Sequence, residues 1–486
     1  MIRTLDLENA RRRTKIVATL GPSTDDPAVL ERLMHAGADV LRINFSHGTT
    51  EQQIRRIETA REVAAKAGCC VALMGDLQGP KIRIESFAKG SIMLETGQKF
   101  ALDTEMDPKG GDETAVNVAY PQLVEDVEPG DVLLLDDGQI VLQAEAVSRS
   151  RIDCRVVQGG ELSSKKGLNK RGGGLSAPAL TDKDRADIEM AAKMGLDFVA
   201  VSFARDAADI DEARQLLRAA GGHAYLVAKI ERSEAVQNIK SIIAASDAIM
   251  VARGDLAVEV GYASMTGLQK GLIRLARSQN KVSITATQML ESMISHASPT
   301  RAEVSDVANA VMDGTDAVML SAETAVGRYP VQAVATMAEL CIGAEKHETF
   351  RRAANYRLED VFEHVDEAIA MAVMYVANHL KVKAIIALTE SGSTTLWMSR
   401  VRSDIPIYAF TRHETTRRRV TLYRGVYPVL FDVTQTDTSG IHEHLFDSLR
   451  QNGALEPGDL VIFTRGELQG VSGGTNTMQI LTVPRA

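Results

Sequence analysis

The chain has 486 residues, 45% of them hydrophobic and 24% charged, with a formal net charge of −9. That length suits about three domains with sizeable cores, and no apolar run approaches the roughly 20 residues needed to cross a bilayer, which argues against a membrane protein. The acidic balance gives no general attraction for nucleic acid, and with 4% aromatic residues and one Trp platforms for stacking bases or sugar rings are scarce.

Residues 1–14 form an N-terminal segment carrying Arg11, Arg12 and Arg13, without the apolar stretch a secretory signal requires, so the expected location is the cytoplasm. From there a rhythm begins. Eight short apolar runs end in polar or charged residues: Lys15 to Leu20, Asp39 to Phe45, Val71 to Leu77, Asp197 to Phe203, His223 to Ile230, Ala248 to Arg253, Val282 to Gln288 and Ala317 to Glu323. Helix-period stretches lie between most of them, among them Pro27 to Ala36, Thr50 to Ala67, Asp182 to Met194, Asp206 to Ala220 and Pro299 to Met312. Strand alternating with helix predicts parallel strands, and eight such units close a (β/α)8 TIM barrel with its catalytic groups at the strands' C-terminal ends. Asn44, Ser46, Asp76, Ser202, Lys229, Glu231, Asp255, Thr287 and Glu323 stand at those ends. The expected barrel is discontinuous, covering 15–83 and 178–350.

The segment 84–177 has another grammar. Ser91 to Leu94, Lys99 to Asp103, Asp131 to Leu135, Gln139 to Val147 and Arg151 to Val157 are short β-like runs separated by Gly, Pro and Asp turns. They predict a small β-barrel domain inserted after the third barrel strand. Its return path, Gly167 to Gly174 with Lys165 and Lys166 just before, is glycine-rich and cationic. That reads as a mobile lid bringing positive charge over a phosphate, with a solvated linker as the plain alternative. Residues 351–486 predict a C-terminal α/β domain: a helix over Asp366 to Leu380, then strands at Ala384 to Thr389, Ile405 to Phe410, Val426 to Phe431, Asp459 to Thr464 and Gln479 to Val483. Its first strand runs into Thr389, Glu390, Ser391, Gly392, Ser393, Thr394 and Thr395, which is either an anion site or an ordinary hydroxyl helix cap. Cys69, Cys70, Cys154 and Cys341 lack metal-type spacing and are expected to be buried reduced thiols.

Lys229 and Glu231 alternate on the fifth strand, so their side chains lean to one side, and Asp255 closes the sixth in Arg253-Gly254-Asp255. Two carboxylates and an ammonium can hold a hard divalent cation, Mg²⁺ or Mn²⁺ in its place, and still face an anionic substrate with positive charge. The alternatives are a structural ion pair and a glycosidase acid–nucleophile pair; Lys229 and the scarcity of aromatics argue against the latter. Arg42 and Arg83 add guanidiniums suited to phosphate. His47 is equally compatible with loop packing.

These residues sit in long runs that resemble the pyruvate kinase family over nearly the whole chain: Lys15 to Pro22, Arg42 to Gly48, Gly75 to Arg83, Lys166 to Asn169, Val227 to Arg232, Val251 to Glu259, Thr285 to Met293, Pro299 to Asn309 and Ala317 to Thr324. The resemblance implies phosphoryl transfer from phosphoenolpyruvate to ADP, giving pyruvate and ATP. By it, Glu231 and Asp255 ligate Mg²⁺, Lys229 stabilises the transferring phosphoryl and the enolate, and Arg42 grips phosphoryl oxygens. Gly254, Asp255 and Thr287 would hold the substrate carboxylate, Thr287 also relaying a proton. Arg83, Lys166 and the loop Asn44, Phe45, Ser46 and His47 would hold nucleotide phosphates.

The family's K⁺ site corresponds to Asn44, Ser46, Asp76 and the Leu77 carbonyl, yet Lys81 stands where many members carry Glu. Leu77, Gln78 and Lys81 together resemble the potassium-independent branch, with the Lys81 ammonium replacing K⁺, so K⁺ is expected to be dispensable. Ala257 replaces a usual Gly and would be strained if its φ were positive. The Thr389 and Ser391 to Thr395 loop becomes an effector site for a sugar phosphate, and a homotetramer is implied. Two other readings remain: another Mg²⁺-dependent phosphoenolpyruvate-using barrel, and a sugar-phosphate sensor that has lost the chemistry.

Overall fold

The computed structural model describes residues 12–346, 362–435, 440–466 and 473–485; the boundary expected at 350/351 lies outside them. Eight strands form a closed barrel in chain order: β1 Lys15–Leu20, β2 Val40–Asn44, β3 Ala72–Asp76, β4 Phe198–Val201, β5 Tyr225–Ile230, β6 Ala248–Ala252, β7 Val282–Ala286 and β8 Ala317–Leu320. Each pairs in parallel with its neighbours, β8 returning to β1. Val17, Val40, Met74, Ala200, Val227, Met250 and Ile284 belong to one buried cluster inside the barrel, whereas the intervening Ile16, Leu41, Leu73, Val199, Ala228, Ile249 and Val318 pack beneath the helices. Carrying that two-residue period to the upper rim puts Thr19, Arg42, Asn44, Asp76, Ser202, Lys229 and Glu231 on the interior side.

Two expectations at the rim are corrected. β6 stops at Ala252 and Arg253–Val260 is helical, so Asp255 stands in the first turn of a helix and not at a strand end. A carboxylate there is favoured by the helix's positive end. Ala257 lies inside the same helix without a positive φ, so the condition for strain there is not met. Glu323 likewise sits on a short helix, Ala322–Ala325, beyond the end of β8.

The inserted segment folds into a curled six-stranded sheet, ordered Leu168–Lys170, Val132–Leu135, Ile140–Val147, Arg151–Gln158, Lys99–Asp103 and Ala115–Asn117, beside a two-stranded pair of Ser91–Leu94 and Gly160–Ser163. The strands absent from the sequence reading, at 115–117, 160–163 and 168–170, are too short to show alternation. The return path is anchored, not loose. Leu168–Lys170 pairs with Val132–Leu135, the Gly172 N–H donates to the Glu259 carbonyl at 3.2 Å, and the Gly174 N–H donates to Glu234 Oε1 at 2.5 Å. Gly172, Gly173 and Gly174 have φ of 83°, 83° and 91°, and a Cβ on Gly173 would lie 2.6 Å from Glu234 Oε2, so this passage requires glycine. Its cations are paired as well: Lys165 with Glu85, Lys166 with Asp136 and Lys170 with Asp131.

The C-terminal sheet runs Val426–Leu430, Ile407–Thr411, Ala384–Leu388, Leu460–Gly466 and Thr475–Thr482, parallel except for the last strand. This domain docks on the barrel's N-terminal end. Lys15 Nζ donates to the Val426 carbonyl at 2.6 Å, Arg418 pairs with Asp197 at 2.8 Å, and Arg400 pairs with Asp316. No described helix is long and apolar enough to cross a membrane. None of the four cysteines is in a disulfide; Cys70 is half-buried and the others are buried, and burial pushes Cys70, Cys154 and Cys341 up to about 12.

Candidate active site

β2, β3, β4 and β5 bring their interior rim residues together as one charged network. Lys229 Nζ lies 2.9 Å from Glu231 Oε1 and 3.3 Å from Asp76 Oδ1, and it donates to Ser202 Oγ at 2.7 Å. Ser202 Oγ donates in turn to the Leu77 carbonyl at 2.7 Å. Arg42 Nε reaches Asp76 Oδ2 at 2.6 Å, and its Nη1 reaches Thr19 Oγ1 at 2.9 Å. Burial alone would depress the Lys229 ammonium, but Asp76 and Glu231 outweigh it and hold it above its ordinary value. Burial would raise Asp76, yet Arg42 and Lys229 hold it below the usual carboxylate range. The site therefore keeps two permanent cations oriented by a buried carboxylate. Thr19 is an addition to the predicted set; it shares the interior period of Val17.

Burial and the neighbouring Asp255 raise the Glu231 carboxyl, whose Oε2 also accepts the Phe203 N–H at 2.8 Å. Two neighbouring carboxylates, one of them raised partly by the other, form a hard oxygen donor set. Among the described residues no group of three His, Cys, Asp or Glu could enclose a metal ion. As hard oxygen donors, the two carboxylates suit Mg²⁺, which keeps several waters and is held by one or two carboxylates together with substrate oxygens. Lys81 Nζ stands 3.5 Å from Asp255 Oδ1, beside this pair. The K⁺-site equivalents have protein partners: Asp76 binds Arg42 and Lys229, the Leu77 carbonyl binds Ser202, and Asn44 Oδ1 accepts the Ser46 N–H at 3.0 Å.

Thr287 follows β7 with φ of 67°, and Gln288 with φ of 53°. For a β-branched residue this is an outlier that costs on the order of 1–3 kcal/mol. Thr287 Oγ1 accepts the Gly254 N–H at 2.9 Å and donates to the Ala286 carbonyl at 2.6 Å, which joins the turn to the helix carrying Asp255. Glu323, expected at the reaction centre, instead buttresses this region: its carboxylate accepts the N–H groups of Ser321 and Leu290 at 2.6 and 3.1 Å. Burial raises its carboxyl.

The expected nucleotide residues are less closely gathered. His47 and Arg83 are exposed; Arg83 Nη1 donates to the Lys165 carbonyl at 3.0 Å, while Lys166 pairs with Asp136 at 2.8 Å. The Phe45 side chain is wholly buried, so only its backbone can face a ligand, and its carbonyl accepts Lys183 Nζ at 2.7 Å. Following that loop, an unpredicted cavity of about 270 Å³ is lined by Leu20, Thr24, Gln52, Arg55 and Arg56. Its residues come from the end of β1, the short turn Pro22–Thr24 and the helix Thr50–Lys66, which leaves no linear motif.

The C-terminal loop satisfies its hydroxyls internally. Thr389 Oγ1 accepts the Gly392 N–H at 2.9 Å, Thr394 Oγ1 meets Thr475 Oγ1 at 2.6 Å, and Thr395 Oγ1 donates to the Gly392 carbonyl at 2.8 Å. Thr394 and Thr395 are buried, and Ser393 Oγ donates to Asp366 at 3.3 Å and lies 3.3 Å from Ser391 Oγ.

Comparison with known proteins accounts for this arrangement. Residues 11–334 match the family described as pyruvate kinase, barrel domain, and residues 367–481 match pyruvate kinase, alpha/beta domain. The chain is 54% identical over 476 residues to pyruvate kinase II of Salmonella typhimurium, covering 97% of this chain and 99% of that protein. It is 51% identical over 471 residues to a pyruvate kinase of Haemophilus influenzae, covering 96% and 97%. A crystal structure of a pyruvate kinase from Cryptosporidium parvum superposes with a TM-score of 0.92 at 34% identity, covering 99% of this chain and 98% of that one. With its eight-stranded barrel, its β insertion and its C-terminal α/β domain, the chain belongs to the pyruvate kinase family of phosphotransferases.

Proposed function

We propose that the barrel mouth transfers the phosphoryl group of phosphoenolpyruvate to ADP, giving pyruvate and ATP, and that the network around Lys229 carries the catalysis. The observation behind this is the buried arrangement of Lys229 and Arg42 about Asp76, which preorganises positive charge where the transferring phosphoryl and the emerging enolate develop negative charge. Asp76 fixes the two cations and does not itself meet the substrate. Glu231 and Asp255 would hold Mg²⁺, which would supply Lewis-acid charge to offset the negative charge of the substrate oxygens. The Gly254 and Asp255 backbone, with Thr287, grips the substrate carboxylate. As the phosphoryl bond to the enol oxygen breaks, the phosphoryl group passes to ADP and the electrons remain on the enolate; the Thr287 hydroxyl then relays a proton from water to the methylene carbon, taking one proton as it gives up the other. Arg83, Lys166 and the backbone around Asn44 and Ser46 hold the nucleotide phosphates.

Lys81 beside Asp255 supplies the fixed monovalent charge that K⁺ gives elsewhere in the family, so turnover requires no K⁺. A sugar phosphate binding at the Ser391 to Thr395 loop raises activity from the far domain. A cytoplasmic homotetramer completes the reading. It is supported by Tyr262 and Val326, exposed at 73% and 58% on the barrel, and by the outer strand Thr475–Thr482, where Ile480 is 47% exposed.

The test is pyruvate formation from phosphoenolpyruvate and Mg²⁺, with and without ADP, in a buffer whose only monovalent cation is a large organic one, then with K⁺ added. ADP-dependent turnover unchanged by K⁺ is expected. Turnover that appears only with K⁺ removes the role given to Lys81, and turnover without ADP removes the kinase reading.

A further inference from the structure

We infer that Arg253, held by Asp306, is a positioning residue that clamps the Thr287 turn in its left-handed conformation; this rests on the reading of Thr287 as a substrate-binding and proton-relay group. The Arg253 guanidinium addresses three successive carbonyls. Nε lies 3.1 Å from the Ala286 oxygen and 3.2 Å from the Thr287 oxygen, while Nη2 lies 2.6 Å from the Thr287 oxygen and 3.3 Å from the Gln288 oxygen. Nη1 points the other way, onto both carboxylate oxygens of Asp306 at 2.8 and 2.7 Å. Asp306 belongs to the helix Arg301–Asp313, whose start is fixed by a Thr300 and Glu303 capping box. One planar cation therefore ties together the residue after β6, the turn after β7 and the next helix.

The need for such a clamp follows from the backbone. Thr287 and Gln288 both have φ near +60°, a conformation that side chains at these positions oppose and that persists only where its surroundings over-determine it. With φ positive at two adjacent residues, the carbonyls of the turn converge on one point, and a planar fork of five donors can satisfy them together. The neighbouring Gly254 N–H donates to Thr287 Oγ1 at 2.9 Å, so the Arg253–Gly254 segment fixes both the backbone and the hydroxyl of Thr287. Arg253 itself touches none of the residues assigned to Mg²⁺ or phosphoryl binding through its side-chain bonds, which are spent on this turn, Asp306 and Met289 Sδ at 2.9 Å. A lysine would keep the charge but could not span three carbonyls and a carboxylate.

The experiment measures kcat, KM for phosphoenolpyruvate and thermal unfolding for R253K, D306N, T287A and the double variant R253K/T287A. R253K is expected to lower kcat about tenfold or more with KM changed less than about threefold, D306N to follow in the same direction, and the double variant to be no slower than T287A within about twofold. A merely structural role would lower the melting temperature and leave kcat per folded enzyme in place. Wild-type kcat in R253K and D306N beside a slow T287A would overturn the clamp, as would fully additive losses in the double variant. Wild-type kcat in T287A would overturn the reading of Thr287 itself, and the inference with it.

Discussion

The two ends of the barrel use the same residue types to opposite ends. At the N-terminal end an aspartate stands before each of four strands, and each is saturated in the same way. Asp39 accepts the Ile16 N–H and pairs with Arg12; Asp197 accepts the Leu73 N–H and pairs with Arg61 and Arg418; Asp247 accepts the Leu226 N–H and pairs with Arg214; Asp316 accepts the Ser283 N–H and pairs with Arg400. Every carboxylate there ties one strand to its neighbour and to an arginine. At the C-terminal end Asp76, Glu231 and Asp255 face Lys229, Arg42 and Lys81 across the mouth, with raised and depressed carboxyls side by side and left-handed turns at Phe203 and Thr287. The lower end holds the fold with pairs that each bind a strand to its neighbour, while the upper end gathers its paired charges around the open mouth, where a ligand can join them.

That contrast can be broken from either side. The largest effect is expected from Lys229→Met, which removes a preorganised cation from the mouth: kcat per folded enzyme should fall about a thousandfold, and the melting temperature should fall too because Glu231 and Asp76 lose a buried partner, as read by steady-state kinetics and calorimetry. At the other end Asp316→Ala leaves Arg400 buried without its carboxylate. The expected loss is about 3–5 kcal/mol of stability in denaturant unfolding, with kcat per folded enzyme retained within about tenfold. A smaller effect comes from Glu259, which lies at the junction between the lid's return path and the barrel. Burial pushes its carboxyl up to about 7. Between its ordinary value and about 7 the folded chain holds a proton that the unfolded chain has released, so this group favours folding at low pH and loses that contribution as pH rises toward 7. Glu259→Gln should flatten that slope by at most about 3 kcal/mol, measured by unfolding at pH 5 and pH 8.

The sequence made the upper end more legible than its supports. The two-residue period from Val227 through Lys229 to Glu231 places both charged groups inside the barrel, and the same period places Arg42 and Asp76. It fails where strand gives way to helix without a break in apolar character, as at Arg253-Gly254-Asp255, so Asp255 was expected on a strand. Glu323 shows a different difficulty: a buried carboxylate in a motif looks the same whether it meets substrate or caps the N–H groups of Ser321 and Leu290. The Ser391 to Thr395 loop has the composition of an anion site and of a hydroxyl helix cap alike, and residue order does not show that Thr394 meets Thr475 or that Ser393 meets Asp366. Lys165, Lys166 and Lys170 read as free positive charge because their partners Glu85, Asp136 and Asp131 lie 30 to 80 residues away in the chain.

The most direct test of the division between the two ends is ADP-dependent pyruvate formation by Lys229→Met and Asp316→Asn, assayed together at a temperature where unfolding curves show both folded. A folded, inactive Lys229→Met beside an active Asp316→Asn is the predicted result. An active Lys229→Met, or an Asp316→Asn that stays folded and loses its turnover, would contradict the assignment of chemistry to the upper end and architecture to the lower.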